Sequence, residues 1–294
     1  MQVHDSMRNL PDIPHPVVTL GSFDGVHAGH RVIIRRLNDL AAQIGGSSVL
    51  VTFYPHPRKV LYPESAGKDL QMITSRQEKI MLLEEAGLDH LIIMNFTLDF
   101  SRTTSDDFVK KYLVGLLHAH TIVVGFNHYF GYNKGGNFDS LYAARQQYHF
   151  CVEEIPEQEI QNETVSSTKI RKALQEGNIQ RANAYLEHYY MLLLSWPMKS
   201  HDQISEATSG LELRYHDPDK LLPPCGAYAV SMHQSGRSLK AMLLIQEEAL
   251  KLFPLEDVGI FQAGSLQLYF HKAITTGQRG GTSELLEAVR ELIY

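Results

Sequence analysis

An apolar run, Val17-Val18-Thr19-Leu20, passes directly into Gly21-Ser22-Phe23-Asp24-Gly25-Val26-His27-Ala28-Gly29-His30. From there it enters a segment in which Val32, Ile33, Ile34, Leu37, Leu40, Ala41 and Ile44 recur at helical spacing. This order predicts a buried strand, a glycine turn and an amphipathic helix. The start of a helix exposes N–H groups that have no intrahelical acceptor, together with the positive end of the dipole, and both favour bound phosphate. Glycines in the turn let the backbone approach a ligand closely. Imidazoles at His27 and His30 can donate hydrogen bonds to phosphate oxygens. A nucleotide triphosphate site is the reading this gives. His-x-Gly-His alone would not carry it; the placement of the longer string between strand and helix does.

Strand and helix signals continue to alternate. Val49–Phe53, Leu91–Met94 and Ile122–Gly125 read as further strands. Thr74–Gly87 reads as a helix, opened by Thr74 with Gln77 or Ser75 with Glu78 and closed by Gly87. Thr104–His118 reads as another, with Phe108, Tyr112 and Leu116 on one face. Near-continuous apolar strands between amphipathic helices predict a parallel sheet covered on both faces, with ligands beyond the carboxyl ends of its strands. The informative segments follow strands. Phe53-Tyr54-Pro55-His56-Pro57 is stiffened by two prolines and offers aromatic rings to flank a flat ligand. Phe126 to Asn137 interleaves aromatics, amides and glycines, which suits a planar ligand rich in heteroatoms. Further on, Ser166-Ser167-Thr168-Lys169-Ile170-Arg171 opens a helix. Ser166 or Ser167 can cap it, yet Lys169 and Arg171 lie in a first turn whose dipole disfavours cations, and a bound phosphate would resolve that.

Composition narrows the classes. A chain of 294 residues accommodates two domains. With a net charge of −6 and no basic run, it has no electrostatic footprint for nucleic acid. No stretch has the roughly twenty apolar residues of a membrane span. Met1 to Pro16 is polar and does not read as a signal peptide. Cys151 and Cys225 are too far apart in sequence for a zinc cluster between them, and reduced thiols in a cytoplasmic protein are expected.

Between Val17 and Leu186 the chain resembles the prokaryotic FAD synthetase family, the usually bifunctional riboflavin kinase/FMN adenylyltransferases. The resemblance rests on Gly21–His30, Thr52–Pro57, Gly125–Gly131, and Ser166–Arg171 followed by Leu174, Gly177, Ala182 and Leu186. It implies a Rossmann-like nucleotidyltransferase domain over residues 1–188 that joins FMN to the AMP moiety of ATP with Mg²⁺, giving FAD and pyrophosphate. Carried over position by position, His27, His30 and Arg171 would be catalytic. Gly21, Ser22, Phe23, Asp24, Gly25, Gly29, Ser166, Ser167 and Thr168 would bind ATP, and Phe53, Tyr54, Pro55, His56 and Asn127 would lie near the flavin. The metal ligands stay unassigned. Tyr54 stands where the family often has Asp, and Tyr129 where it often has Arg.

After Leu186 the pattern changes to short alternating runs: Leu211–Tyr215, Ala227–His233, Ser238–Ile245 and Leu266–Ala273. Gln234-Ser235-Gly236-Arg237 reads as a hairpin turn, and Thr282–Tyr294 as a final helix. Residues 189–294 thus read as a small β-barrel with a C-terminal helix, and Leu222–Val230 is similar to part of the family's riboflavin kinase module. That module's Pro-Thr-Ala-Asn string is missing between Tyr190 and Leu221, and the strand expected to hold a catalytic Glu reads Leu266-Gln267-Leu268-Tyr269-Phe270. The expectation is a chain that adenylylates FMN and has lost kinase activity, its barrel kept for structure, oligomer formation or protein docking. Three alternatives stand beside it: a bifunctional enzyme with an unusual kinase site, a nucleotidyltransferase acting on another substrate, and a non-catalytic flavin-nucleotide-binding protein.

Overall fold

The computed structural model describes residues 1–156, 159–160, 163–196, 210–213, 215, 217–247, 249–256, 264–274, 286 and 289. The chain divides into two compact units. One comprises Met1–Leu70 and Lys79–Thr164; the other comprises Gln71–Glu78 and Val165–Tyr294.

In the first unit, β1 (Gln2–His4), β2 (Val17–Leu20), α1 (Ala28–Ile44), β3 (Ser48–Tyr54) and α2 (Pro57–Leu61) come first. They are followed by α3 (Arg76–Glu85), whose residues from Lys79 onward belong to this unit, β4 (His90–Asn95), α4 (Ser105–Phe108), β5 (Thr121–Gly125), α5 (Phe138–Tyr148) and β6 (Cys151–Ile155). The two-stranded pair β7 (Glu159–Ile160) and β8 (Glu163–Thr164) ends the unit. All pairings in the main sheet are parallel, in the order β1-β4-β3-β2-β5-β6. Chain direction across the sheet reverses between β2 and β5, and this is where such sheets bind ligands.

Strand alternation explains why both faces are covered. Val18, Leu20, Val49, Val51, Ile122 and Val124 pack with Phe108, Val109, Leu113 and Leu117. Val17 and Val123 point the other way, onto Leu37 and Ala41 of α1. Each fully buried Leu or Ile contributes about 1.5–3 kcal/mol relative to exposure. Helix α1 ends at Gly45 in the left-handed region, φ +61. It is tied to β6 by a bidentate pair from Arg36 to Glu153, at 2.6 and 2.9 Å.

One expected face is corrected. Thr104 caps α4 by accepting from the Asp107 N–H, but the backbone then widens into π-type turns over Val109–Val114. The wider turns rotate the later residues, so Leu113 and Leu117 are buried and Leu116 is 44% exposed.

The second unit contains α6 (Ser167–Gln175), α7 (Ile179–Leu186) and the strands β9 (Tyr190–Trp196), β10 (Leu211–Leu213), β11 (Gly226–Gln234), β12 (Arg237–Ile245), β13 (Leu250–Pro254) and β14 (Gly264–Ile274). They form one antiparallel sheet, β10-β13-β12-β11-β14-β9. Its terminal strands β9 and β10 approach within 8 Å between Cα atoms, so the sheet curls toward a barrel. The expected hairpin turn is present, with Ser235 at φ +51 and Gly236 at φ +78, the backbone of a type I′ turn. Of the helix expected over Thr282–Tyr294, only Leu286 and Val289 are among the described residues. Both are helical, and they pack with Ala227, Ala229, Met242 and Phe253.

Ser75 and Glu78 form the capping box of α3: the Ser75 N–H donates to Glu78 Oε2 at 2.8 Å and the Glu78 N–H to Ser75 Oγ at 3.2 Å. Gly87, φ +80, closes the helix.

Candidate functional site

The turn after β2 carries backbone strain. Gly25 has φ +86, a conformation that favours glycine, whereas Phe23 and Val26 adopt φ +45 and +42 with full side chains. A left-handed residue with a Cβ costs on the order of 1–2 kcal/mol, and a β-branched one such as Val26 is rare there. The surroundings hold the turn in place. The Val26 N–H donates to the Phe23 carbonyl at 3.3 Å and the Gly21 N–H to the Val51 carbonyl at 3.1 Å. The Ser22 carbonyl accepts from Lys79 Nζ at 2.7 Å and from Thr52 Oγ1 at 3.3 Å. Phe23, Asp24, Gly25, Val26 and His27 are all buried.

His27 is the N-cap of α1, but its side chain makes no capping bond. The first-turn N–H groups of the helix are therefore not capped by it, as an anion site requires. Its ring stacks on His30 with centroids 3.6 Å apart and planes at 17°, and Phe23 lies on the other side of His30 at 4.3 Å and 22°. His30 is thus the middle ring of three. Burial holds its pKa well below the ordinary value of 6.5, reinforced by the positive charges of His27 and Lys79. Among the described residues, its buried Nδ1 has no hydrogen-bond partner. Burial also lowers the pKa of Lys79, an effect Asp24 opposes.

The other two strand exits differ in character. Phe53 sits among Phe96, Phe100 and Phe108, with ring centroids 5.7, 5.8 and 6.5 Å away, so it buttresses the end of β3. Tyr54, 55% exposed, stands clear beside Pro55. His56 caps α2, its Nδ1 accepting from the Arg58 N–H at 3.2 Å. Beyond β5, Phe126, Asn127 and Tyr129 are exposed, and Asn127 adopts φ +57. The loop folds back through paired bonds between Phe130 and Gly136, at 3.0 and 2.9 Å. Gly131 has φ +73, and a Cβ there would lie 2.6 Å from the Ser105 nitrogen, so this crossing requires glycine.

His128, in the same loop, has its pKa pushed down to about 4 by burial. Its folded value is below the unfolded one. As pH falls through 6.5 toward 4 the unfolded chain takes up a proton that the native chain does not, and stability drops across that window. His128→Gln should flatten this part of the stability–pH curve, which denaturant melts between pH 4 and 7 would measure.

Because β3, β2 and β5 are adjacent, the parallel sheet gathers Gly21–His30, Tyr54–His56 and Asn127 at neighbouring strand ends. Ser166, Ser167, Thr168 and Arg171 belong to the second unit. There Ser166 caps α6, its Oγ accepting from the Lys169 N–H at 3.4 Å, and Arg171 Nε donates to the Gln71 carbonyl at 2.9 Å. Lys79 and Thr52 were not among the residues expected at the site. A signal for Lys79 existed: it lies three and four residues before Leu82 and Leu83, on the buried stripe of α3, where a cation needs a reason.

A parallel sheet with a strained glycine turn and paired imidazoles at a helix start defines an α/β protein with a candidate nucleotide site at its strand ends. The sequence model of FAD synthetase matches residues 11–169. A bifunctional riboflavin kinase/FMN adenylyltransferase of Listeria monocytogenes is 31% identical over 231 residues, 78% of this chain and 71% of that protein. One from Pseudomonas fluorescens is 28% identical over 98% of this chain and 94% of its own length. A Listeria monocytogenes FAD synthetase is 32% identical, covering 76% of this chain and 85% of that protein. A Streptococcus pneumoniae crystal structure titled as a macrolide-efflux protein shares the fold, with a TM-score of 0.81 at 21% identity over 98% of this chain and 95% of that one. The chain belongs to the FAD synthetase family and so to the nucleotidyltransferases.

Proposed function

We propose that this protein transfers the AMP moiety of ATP to FMN, releasing pyrophosphate, and that it does not phosphorylate riboflavin. The observation that carries the first part is the turn after β2, where uncapped helix N–H groups and the stacked His27 and His30 meet. The terminal phosphate of FMN is already a nucleophile at neutral pH. Its attack on the α-phosphorus of ATP needs alignment and stabilisation of charge, not a general base, which suits a turn built from N–H groups and imidazoles. In this reading Gly21, Ser22, Phe23, Asp24, Gly25 and Gly29 form the ATP cradle. Tyr54, Pro55, His56 and Asn127 lie toward the flavin, with Phe53 supporting them. Ser166, Ser167, Thr168 and Arg171 contribute to ATP phosphate binding, and that assignment rests on the family pattern.

In this reading Mg²⁺ accompanies ATP, whose phosphate oxygens are suited to bind it. Among the described residues there is no group of three or more His, Cys, Asp or Glu side chains that could hold a metal. The adenylyltransferase module is proposed to span residues 1–188, and the kinase-like barrel 189–294. The loss of kinase activity rests on β14, which contains no glutamate, and on the missing Pro-Thr-Ala-Asn string; part of the stretch where that string is expected, residues 197–209, lies outside the described residues. No helix among the described residues is long and apolar enough to cross a membrane. The two free cysteines fit a cytoplasmic setting, which is part of the proposal.

One experiment tests both halves. The full chain is incubated with Mg²⁺ and ATP and either FMN or riboflavin, and the flavins are separated by chromatography. FAD from FMN, with riboflavin unchanged, is the expected result. FMN appearing from riboflavin at an enzymatic rate overturns the loss of kinase activity. Unchanged FMN overturns the transferase and favours a flavin-nucleotide-binding protein.

A further inference from the structure

Lys79 lies outside every motif that marks the nucleotide turn, yet its buried ammonium reaches into it. Nζ donates to the Ser22 carbonyl at 2.7 Å, a charge-assisted bond, and Thr52 Oγ1 adds a weaker one at 3.3 Å. In a trans peptide the carbonyl and the following N–H point in opposite directions. Pinning the Ser22 carbonyl toward Lys79 therefore turns the Phe23 N–H away from it. That N–H finds no acceptor among the described residues, although Phe23 is only 3% exposed. The same peptide leads into the strained φ of +45 at Phe23. A strained peptide persists only where its neighbours fix it, and Lys79 makes the shorter of the two bonds that do so here.

We propose that Lys79 is a positioning residue of the nucleotide turn, locking the Ser22–Phe23 peptide so that the Phe23 N–H is presented as a donor to a phosphate oxygen of ATP. This rests on the ATP reading of the turn and adds a residue to it. The charge has a second effect. The charged and titratable groups acting on His30 are His27 and Lys79, with Asp24 in the same buried turn acting on Lys79. Lys79 thus helps hold the middle imidazole neutral until phosphate charge arrives. Removing the ammonium frees the Ser22 carbonyl, lets the peptide rotate, and takes away a positive charge that disfavours protonation of His30.

The test uses Lys79→Met in the full chain, with two measurements that do not depend on FAD formation. Titration with α,β-methylene ATP and Mg²⁺ should show affinity about tenfold to a hundredfold weaker than the parent, the usual worth of a hydrogen bond to a charged group. FMN affinity should be unchanged. Separately, ligand-free protein with labelled imidazoles, followed by NMR against pH, should show the His30 midpoint moving upward. If the methionine variant does not fold, Lys79→Gln, which keeps a donor without the charge, gives the same two readings with a smaller loss of affinity. Parent-like affinity for the analogue, or an unmoved His30 midpoint, overturns the proposal. A parent chain that binds the analogue tightly but makes no FAD would sink the proposed function and leave the role of Lys79 standing.

Discussion

His27→Ala or His30→Ala should lower the rate of FAD formation about a hundredfold to a thousandfold while FMN affinity stays within a fewfold of the parent. The reason lies in when the charge appears. FMN and ATP carry their negative charge in the ground state. The transition state adds charge on the phosphoryl oxygens around the α-phosphorus and on the departing pyrophosphate, and under the proposed function donors at the helix start act on that increment. The stack sharpens the expectation. With ring centroids 3.6 Å apart, His27 and His30 cannot both be cationic without strong repulsion, and burial already disfavours the charge on His30. At the proposed site, the pair would offer phosphate neutral N–H donation or a single shared positive charge. Each variant should therefore lose most of the effect, and the double variant should lose much less than the sum, since residues acting as one unit are not additive. Steady-state kinetics with FMN and ATP varied in turn, together with flavin fluorescence titration, check this. Equal losses in turnover and FMN binding would instead mark the two rings as scaffold for the flavin end.

What could be read from sequence follows from how local each feature is. Val17–Leu20 and Ile122–Val124 were legible because central strands of a parallel sheet are buried on both faces and so are apolar without interruption. The edge strands were not. β1 and β6 are largely exposed or half-buried and mix polar with apolar residues, as in Gln2-Val3-His4 and Cys151-Val152-Glu153-Glu154, so neither segment carries an apolar run. Leu116 was misplaced because a strict 3.6-residue period has no room for the wider turns over Val109–Val114. The hairpin at Ser235-Gly236 was legible because a two-residue turn states its geometry in its own residues. The same contrast runs through the site. Gly21 to His30 is contiguous, and the proposed nucleotide site reads off one string. Lys79 comes from a helix far along the chain, and its contact with Ser22 is visible only in the fold. His56 illustrates the converse: it is prominent between two prolines, and in the structure it caps a short helix.

Lys220→Met should destabilise the second unit by about 3–5 kcal/mol, the cost of breaking a buried ion pair from one side. Lys220 is 1% exposed, and its ammonium spends all three protons inside the protein: on Glu78 Oε2 at 2.6 Å, the Ile73 carbonyl at 2.6 Å and the Met191 carbonyl at 2.7 Å. It also lies 4.2 Å from the centre of the Tyr190 ring, whose hydroxyl donates to the Leu221 carbonyl. The bonds hold together stretches that are distant in sequence. Segment 71–78 joins the unit through Lys220 and through backbone bonds from Met72 N–H to the Asp219 carbonyl and from Leu221 N–H to the Met72 carbonyl, at 2.6 and 2.8 Å. Glu78 in turn accepts from the Leu193 N–H at 2.9 Å, so its carboxylate is fixed from several sides and cannot turn to water when its counter-charge is removed. Methionine matches the length of lysine and fills the volume, so the loss reports charge and hydrogen bonds, not a cavity. The double variant Glu78→Gln with Lys220→Met should recover part of the stability, because no unpaired charge then remains buried. Chemical denaturation of the parent, both single variants and the double variant completes the cycle. A Lys220→Met protein within about 1 kcal/mol of the parent would mean that the pair is solvated in solution, and the buried network would then have no part in holding segment 71–78 to β9.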